Sequence, residues 1–409
     1  MALISQRNSK VFAKLGGAGT GSPIGISPDA NNTWEIPVLA GFTFGQTTNS
    51  TEVTVTEAGF SSRRARVMFN DSLAPVEFSF STYIRPTSGT SPTTVVAPEQ
   101  VLWAMLMGAD SFNVTSGVFH SSTMGISGPS PNPVSPGTSP LPLNAVNTVA
   151  ASTNTFDFSA SNVSFYPSGN SIIFQTQEGA NYEVFTVANA QISSVTIDFD
   201  IEGIATAQWS GMGTSIARTT SQITGAFTTG TALTTNFIRN KLSTMTLASY
   251  NDPGSPTGGT DSYTIILTGG SFTVENNLNF LMPEELGKVN QTIGNITGTR
   301  SISGTLTCYY DTDITNSRSA ELWTDLITGK SGNVASPANE IPTIRNAHAL
   351  SINIGGATGN RLTLSMPTAH LEIPTINPDE LFTLEANFHA LPSAGNFDNT
   401  NEATIVYGV

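Results

Sequence analysis

The chain has 409 residues and a formal net charge of −14, with 11% charged and 38% hydrophobic residues. That acidity, with no run of Lys or Arg, excludes a grip on nucleic acid through its phosphates, which needs basic patches; the single cysteine, Cys308, excludes an intrachain disulfide and a thiolate metal cluster. No apolar run approaches the ~18 residues of a membrane span, and the opening MALISQRNSK lacks the basic-then-apolar pattern of an export signal, so folding in a cytoplasm is expected.

The composition favours strands. Thr and Val suit a pleated, half-buried surface, while Gly and Pro punctuate turns. Residues 10–13 open with alternation, and a Gly-rich loop follows at 16–25. No Gly-Lys-Ser/Thr follows that loop, so it is read as a connector or arm rather than a phosphate cradle. WEIPVLAGFTFGQ (34–46) and EVTVTE (52–57) read as strands. SSRRAR (61–66) holds a cluster of arginines; Arg63, Arg64 and Arg66 are assigned to inter-subunit ion pairs, since three charges make too small a footprint for nucleic acid. VEFSFSTYIR (76–85) is the clearest strand: Phe78, Phe80 and Thr82 fall on one face, Ser79, Ser81 and Tyr83 on the other. Residues 98–107 form a helix with Pro and Glu in its first turn and Gly108 as a stop; Leu102, Met105 and Leu106 make its buried stripe, widened by Trp103 and Met107. Residues 127–168 are rich in proline and are read as a surface loop.

Later stretches repeat this order, and internal repetition constrains a fold more than any single motif. AQISSVTIDFDIEGIATAQW (190–209) stands over AHLEIPTINPDELFTLEANF (369–388), with 369 − 190 = 179. FSFSTYI (78–84) stands over GTLTCYY (304–310), with 304 − 78 = 226, and Leu102-Trp103 over Leu322-Trp323, with 322 − 102 = 220. Gly41-Phe42 lies near Gly269-Gly270, the Gly-rich loop is echoed at 251–260, and Ser317 or Ser319 caps the second helix. The fall from 220 to 179 places about 41 extra residues in the first copy, where the proline-rich loop lies. The expected fold is all-β with one flanking helix per repeat, in two tandem barrel-forming β-sandwich domains, 1–216 and 217–409.

Chemistry is sparse. The four histidines, His120, His348, His370 and His389, show no metal-ligand spacing; His370 and His389 flank the second hairpin, where Gln191 and Ser210 stand in the first. Asp311, Asp313 and Asn316 lack the glycine and distal Glu of a calcium loop. Asp198 and Asp200 share a strand face, but nothing beside them suggests an acid–base pocket. No nucleophile elbow or dinucleotide fingerprint appears. No enzyme and no cofactor is expected.

A duplicated β-rich chain without a site suits a ring, because heterologous interfaces close when the rotation per unit divides the circle. With its long strand 76–85 echoed at 303–310, its helix 98–107 echoed at 319–327, and its closing hairpins 190–209 and 369–388, the chain resembles the major tail tube proteins of long-tailed bacteriophages, in particular those with a duplicated tube domain and three chains per pseudo-sixfold ring. The resemblance implies a virion subunit whose strands build an inner barrel and whose rings stack through loops and arms. It implies contact with tape measure, tail terminator and tail tip proteins, and DNA passing through the lumen without specific binding. Asp198, Asp200 and Glu202, with Asp379, Glu380 and Glu385, are the expected acidic lumen or surface. The proline-rich insertion is expected outside the tube, and 396–409 is too short for the additional C-terminal immunoglobulin-like domain of some relatives. A distal tail or baseplate ring, or a bacterial carbohydrate-binding β-sandwich, are the competing readings.

Overall fold

The computed structural model describes residues 8–16, 32–54, 66–88, 95–113, 118–121, 141–142, 144–146, 153–158, 169–224, 236–249, 262–263, 265–284, 286, 289–292, 294–312, 319–328, 348–356, 359–378, 380–392 and 402–408. The Gly-rich loops at 17–25 and 251–260, the proline-dense 127–140, and Arg63, Arg64, Asp313, Asn316 and Asp379 lie outside these. Among the described residues the chain is mostly strand, in antiparallel sheets, with two α-helices.

One run of strands organises the molecule. In spatial order it reads Thr43–Gly45, Val76–Tyr83, Thr206–Gly213 and Gln191–Asp198, then Leu267–Glu275, Ser301–Tyr309, Thr383–Ala390 and Thr375–Asn377. The last position is shared with the end of Arg361–Leu371, whose Ala369, His370 and Leu371 also pair with Thr383–Ala390. A hairpin closed by a turn at 199–205 in the first four strands meets its counterpart, closed at 378–382, in the second four.

Behind this run lie two further layers. One is a five-stranded sheet in the order Ser215–Thr219, Asn181–Ala188, Ser171–Glu178, Ser9–Lys14, Thr33–Ile36. Its central hairpin turns tightly because Gly179 adopts φ +58, the positive value that two-residue hairpins demand. The other layer runs Ala403–Gly408, Arg361–Leu371, His348–Ile354, Thr244–Ser249, Ser262–Tyr263. The same strand order thus recurs behind each half of the long run.

The core between the layers is aromatic. Phe78, Phe80, Trp209, Phe272 and Phe388 from the long run are buried together with Trp34, Phe174 and Tyr407 from behind. Helix α1 (Gln100–Leu106) packs against Gln191–Asp198. All seven of its residues are buried, so it has no wet side, and the expected stripe was too narrow. Trp103 stacks edge-on against Trp209, at 5.0 Å between centroids, and its indole N–H donates to the Tyr407 hydroxyl at 2.6 Å. Helix α2 (Ser319–Thr328) is amphipathic, with Leu322 and Leu326 buried and Glu321 and Ile327 exposed. Ser319 does not act as a simple cap: its hydroxyl donates to the Tyr309 carbonyl at 2.7 Å and accepts from the Asp311 N–H at 2.8 Å.

The proline-rich stretch needs correction. It holds a six-residue strand, Thr153–Phe158, paired in full with the C-terminal strand Ala403–Gly408. Phe156 and Phe158 are fully buried against Trp103. The alternation TNTFDF outweighs the prolines around it, so this part belongs to the core rather than to a surface loop.

Two hairpins continue strand pairs of the long run, one linking Thr43–Gly45 to Val76–Tyr83 and the other linking Leu267–Glu275 to Ser301–Tyr309. Thr48–Thr54 pairs with Arg66–Leu73, exposed along nearly its whole length, with Val53, Val67, Met68 and Phe69 open to solvent. Leu278–Leu281 pairs with Gly294–Thr297 in the corresponding place. Arg66 is bound within its own hairpin, 3.2 Å from Glu52.

Candidate functional site

The eight-stranded run has two unlike faces. Successive side chains of a strand point to opposite sides, and here every apolar anchor points inward to the core. The outward side carries Glu77, Ser79, Ser81 and Tyr83 from one strand, and Thr206, Gln208, Ser210 and Met212 from the next. It continues through Ser194, Thr196 and Asp198 to Ser271, Thr273 and Glu275. The second four strands extend it with Ser303, Thr305, Thr307 and Tyr309, then Thr383, Glu385, Asn387 and His389. None of these residues is Lys or Arg.

Hydroxyls on this face pair across the strands. Thr43 and Ser79 share a hydrogen bond at 2.8 Å, Ser194 and Ser210 at 2.7 Å, Thr196 and Thr273 at 3.1 Å, and Ser271 and Thr305 at 3.0 Å. In each pair one hydroxyl donates to the other, leaving a neutral, polar surface with carboxylates set among them. Near one corner Asn387 donates to Glu372 at 2.7 Å, and His389 lies 3.5 Å from the same carboxylate. Asn387 foremost, with His389, holds Glu372 below its ordinary pKa. His370 and His389 do meet across the second hairpin. Among the described residues no three His, Cys, Asp or Glu groups gather as a metal site.

The predicted acidic residues divide. Asp198 and Glu385 stand on the polar face. Asp198 is raised above its usual pKa by partial burial first and then by the Asp200 charge. Asp200, Glu202 and Glu380 sit in the turns at one rim of the sheet rather than on its face. Sequence reasoning missed Glu77 and Glu275, both exposed on the face. Strand parity was the available signal: Glu77 precedes inward Phe78, and Glu275 follows inward Val274.

The face is thus broad, built of hydroxyls, amides and carboxylates, backed by a dry core and without Lys or Arg among the residues named. The phage tail tube protein family model matches residues 27–390. The chain belongs to this family. It is also 28% identical over 402 residues to tail tube protein pb6 of Escherichia phage T5, covering 96% of this chain and 74% of pb6. As a phage tail tube protein it is a non-enzymatic structural component of the virion tail and polymerises with copies of itself. The carbohydrate-binding alternative falls away with that membership.

Proposed function

We propose that the polar face of the eight-stranded run lines the lumen of the tail tube, and that three chains close each ring with pseudo-sixfold symmetry. One observation carries this reading: two blocks of four strands follow each other in a single sheet, in the same strand order, with one continuous cation-free face. A chain that carries two such blocks as a duplicated domain supplies two of six pseudo-equivalent positions, so three chains complete the circle. Closure also removes the exposed strand edges that invite misassembly. Lumen carboxylates repel phosphates, and paired hydroxyls keep the wall neutral and wet, so DNA slides.

The test is charge reversal on the lumen. Replacing Glu77 and Glu275, or Asp198 and Glu385, by Lys introduces phosphate contacts at every ring. The pairs are expected to leave tube assembly intact and to slow DNA ejection from infectious particles, with the slowing relieved by added salt as phosphate contacts are. Ejection kinetics equal to wild type in tubes carrying these lysines would contradict the lumen assignment.

A further inference from the structure

One strand is held by both halves. Ala403–Gly408 lies in the layer behind the second half, paired on one side with residues 361–365. On its other side all six of its residues pair antiparallel with Thr153–Phe158 of the first half. Its counterpart behind the first half, Ser215–Thr219, pairs with Asn181–Ala188 alone among the described residues. Burial differs accordingly: Ala403, Ile405 and Tyr407 are shut in the core, whereas Ser215, Arg218 and Thr219 are exposed. Ala403–Gly408 is thus the middle strand of a seam whose outer members come from different halves. Its pairing with the first half spans 403 − 158 = 245 residues or more. Pairing between strands so distant is slow, because the loop must close before any contact offsets its entropy.

The contacts this strand completes reach the polar run. The Trp103 indole N–H donates to the Tyr407 hydroxyl at 2.6 Å, and both side chains are fully buried. Trp103 meets Trp209 edge-on at 5.0 Å, and the Trp209 indole N–H donates to the Thr82 hydroxyl at 3.0 Å. Thr82 and Trp209 lie on paired strands of the polar run, so a path of ring contact and hydrogen bonds joins the C-terminal strand to the first block. Phe156 meets Tyr407 edge-on at 6.4 Å. A clasp holds the strand's entry. The Glu402 N–H donates to the Phe158 carbonyl at 2.8 Å, its carboxylate pairs with Arg300 at 2.9 Å, and the Arg300 guanidinium lies 5.4 Å from the Phe158 ring. With the strand withdrawn, the Trp103 N–H loses its acceptor, a costly loss in a dry core, and Phe156 and Phe158 lose the strand that covers them.

We infer that Ala403–Gly408 is a latch: it sets the first block of the polar run, and a chain becomes competent to polymerise once this strand has seated between the two halves. Polymerisation itself follows from the family. The latch does not depend on which face lines the lumen or on how many chains close a ring. Before seating, Val76–Tyr83 and Thr206–Gly213 lack the fixed Trp103 ring behind Trp209; after seating, Tyr407 holds that ring in place. The device keeps an incompletely folded chain, whose open strands invite misassembly, from joining other copies.

Tube formation and amide exchange, read together on full chains, test the latch. Tyr407→Ala is compared with Leu350→Ala. Both remove a buried side chain behind the second half, but Leu350 lies on His348–Ile354, which does not pair with Ala403–Gly408. Below both unfolding midpoints, Y407A is expected to form tubes on tail-tip complexes at least tenfold more slowly than wild type. Its amides at 206–213 are expected to exchange at least tenfold faster. L350A is expected to stay within about twofold of wild type in both. Equal losses in the two variants would reduce Tyr407 to general stability and overturn the latch. Wild-type tube formation, or wild-type protection of 206–213, in Y407A would overturn it too. If Y407A does not fold, pulse-labelled exchange during refolding of the wild-type chain decides the same point. Protection of 403–408 before or together with 206–213, with tubes appearing afterwards, supports the latch. Tubes, or a protected 206–213, while 403–408 still exchanges as unfolded chain overturn it.

Discussion

Glu99 is a buried carboxylate that the fold carries at a cost. It precedes helix α1, is fully buried, and neither of its carboxylate oxygens has a hydrogen bond of good geometry. Burial raises its pKa to about 7, only partly offset by backbone hydrogen bonding, the Tyr407 hydroxyl and Arg85. His348 is the opposite case: burial, then the neighbouring His370, lowers it to about 4. Their effects on stability have opposite signs. Between the ordinary Glu value of 4.5 and about 7 the folded state binds the extra proton at Glu99, so its contribution is full below 4.5 and is lost as pH rises through 7. Between 6.5 and about 4 the unfolded state binds the extra proton at His348, so stability is lost as pH falls through that window. Glu99→Gln is therefore expected to flatten the decline between pH 4.5 and 7 and to stabilise the fold at pH 8, by on the order of 3 kcal/mol given ~1.4 kcal/mol per pKa unit. Denaturant unfolding at pH 5 and pH 8 measures it; equal wild-type and variant slopes would contradict the assignment.

At the level of elements, the two halves exchange one structural device. In the first, Phe78 lies opposite Gly211; in the second, Gly304 lies opposite Phe388, so the ring covers the glycine from the other strand. A Cβ on Gly211 would sit 2.3 Å from the Phe78 ring and 2.4 Å from the Gln191 carbonyl; one on Gly304 would sit 2.0 Å from the Ser271 carbonyl and 2.5 Å from the Phe388 ring. Gly211→Ala and Gly304→Ala are each expected to cost ~1–3 kcal/mol as overpacking, with Gly45→Ala, open on all sides, as a near-neutral control. Thermal unfolding of the three variants checks this, and an unchanged midpoint in Gly211→Ala would contradict it. The device also explains what the sequence hid. Structural pairing puts Trp209 in the place of Ala386 and Gly211 in that of Phe388, an offset of 388 − 211 = 177 rather than 179. The second turn is two residues shorter, and a slip of two keeps every side chain on its own face. Pattern matching therefore read the inward and outward sides of this hairpin correctly and its partners wrongly. The strand read at 76–85 forms as Val76–Tyr83, two residues shorter at its end than expected, and was legible because its alternation is strict. Thr153–Phe158 was passed over because neighbouring prolines dominated the composition.

For the whole molecule, the class of fold and the family were legible from repeated strands, two helices and the absence of chemistry. The polar face was only half legible. Asp198 and Glu385 were singled out from acidic clusters, whereas the face is mainly hydroxyls, and Asp200, Glu202 and Glu380 belong to rim turns. A face made mainly of hydroxyls leaves no sequence motif; only the sheet order gathers it. The account's central claim is that this face encloses a lumen in rings of three chains. Electron cryomicroscopy of tubes polymerised from the purified protein tests it most directly. The account predicts stacked hollow rings of three chains with pseudo-sixfold symmetry, and Ser79, Thr196 and Thr305 facing the channel. Six chains per ring, or a channel lined by any other face, would contradict it.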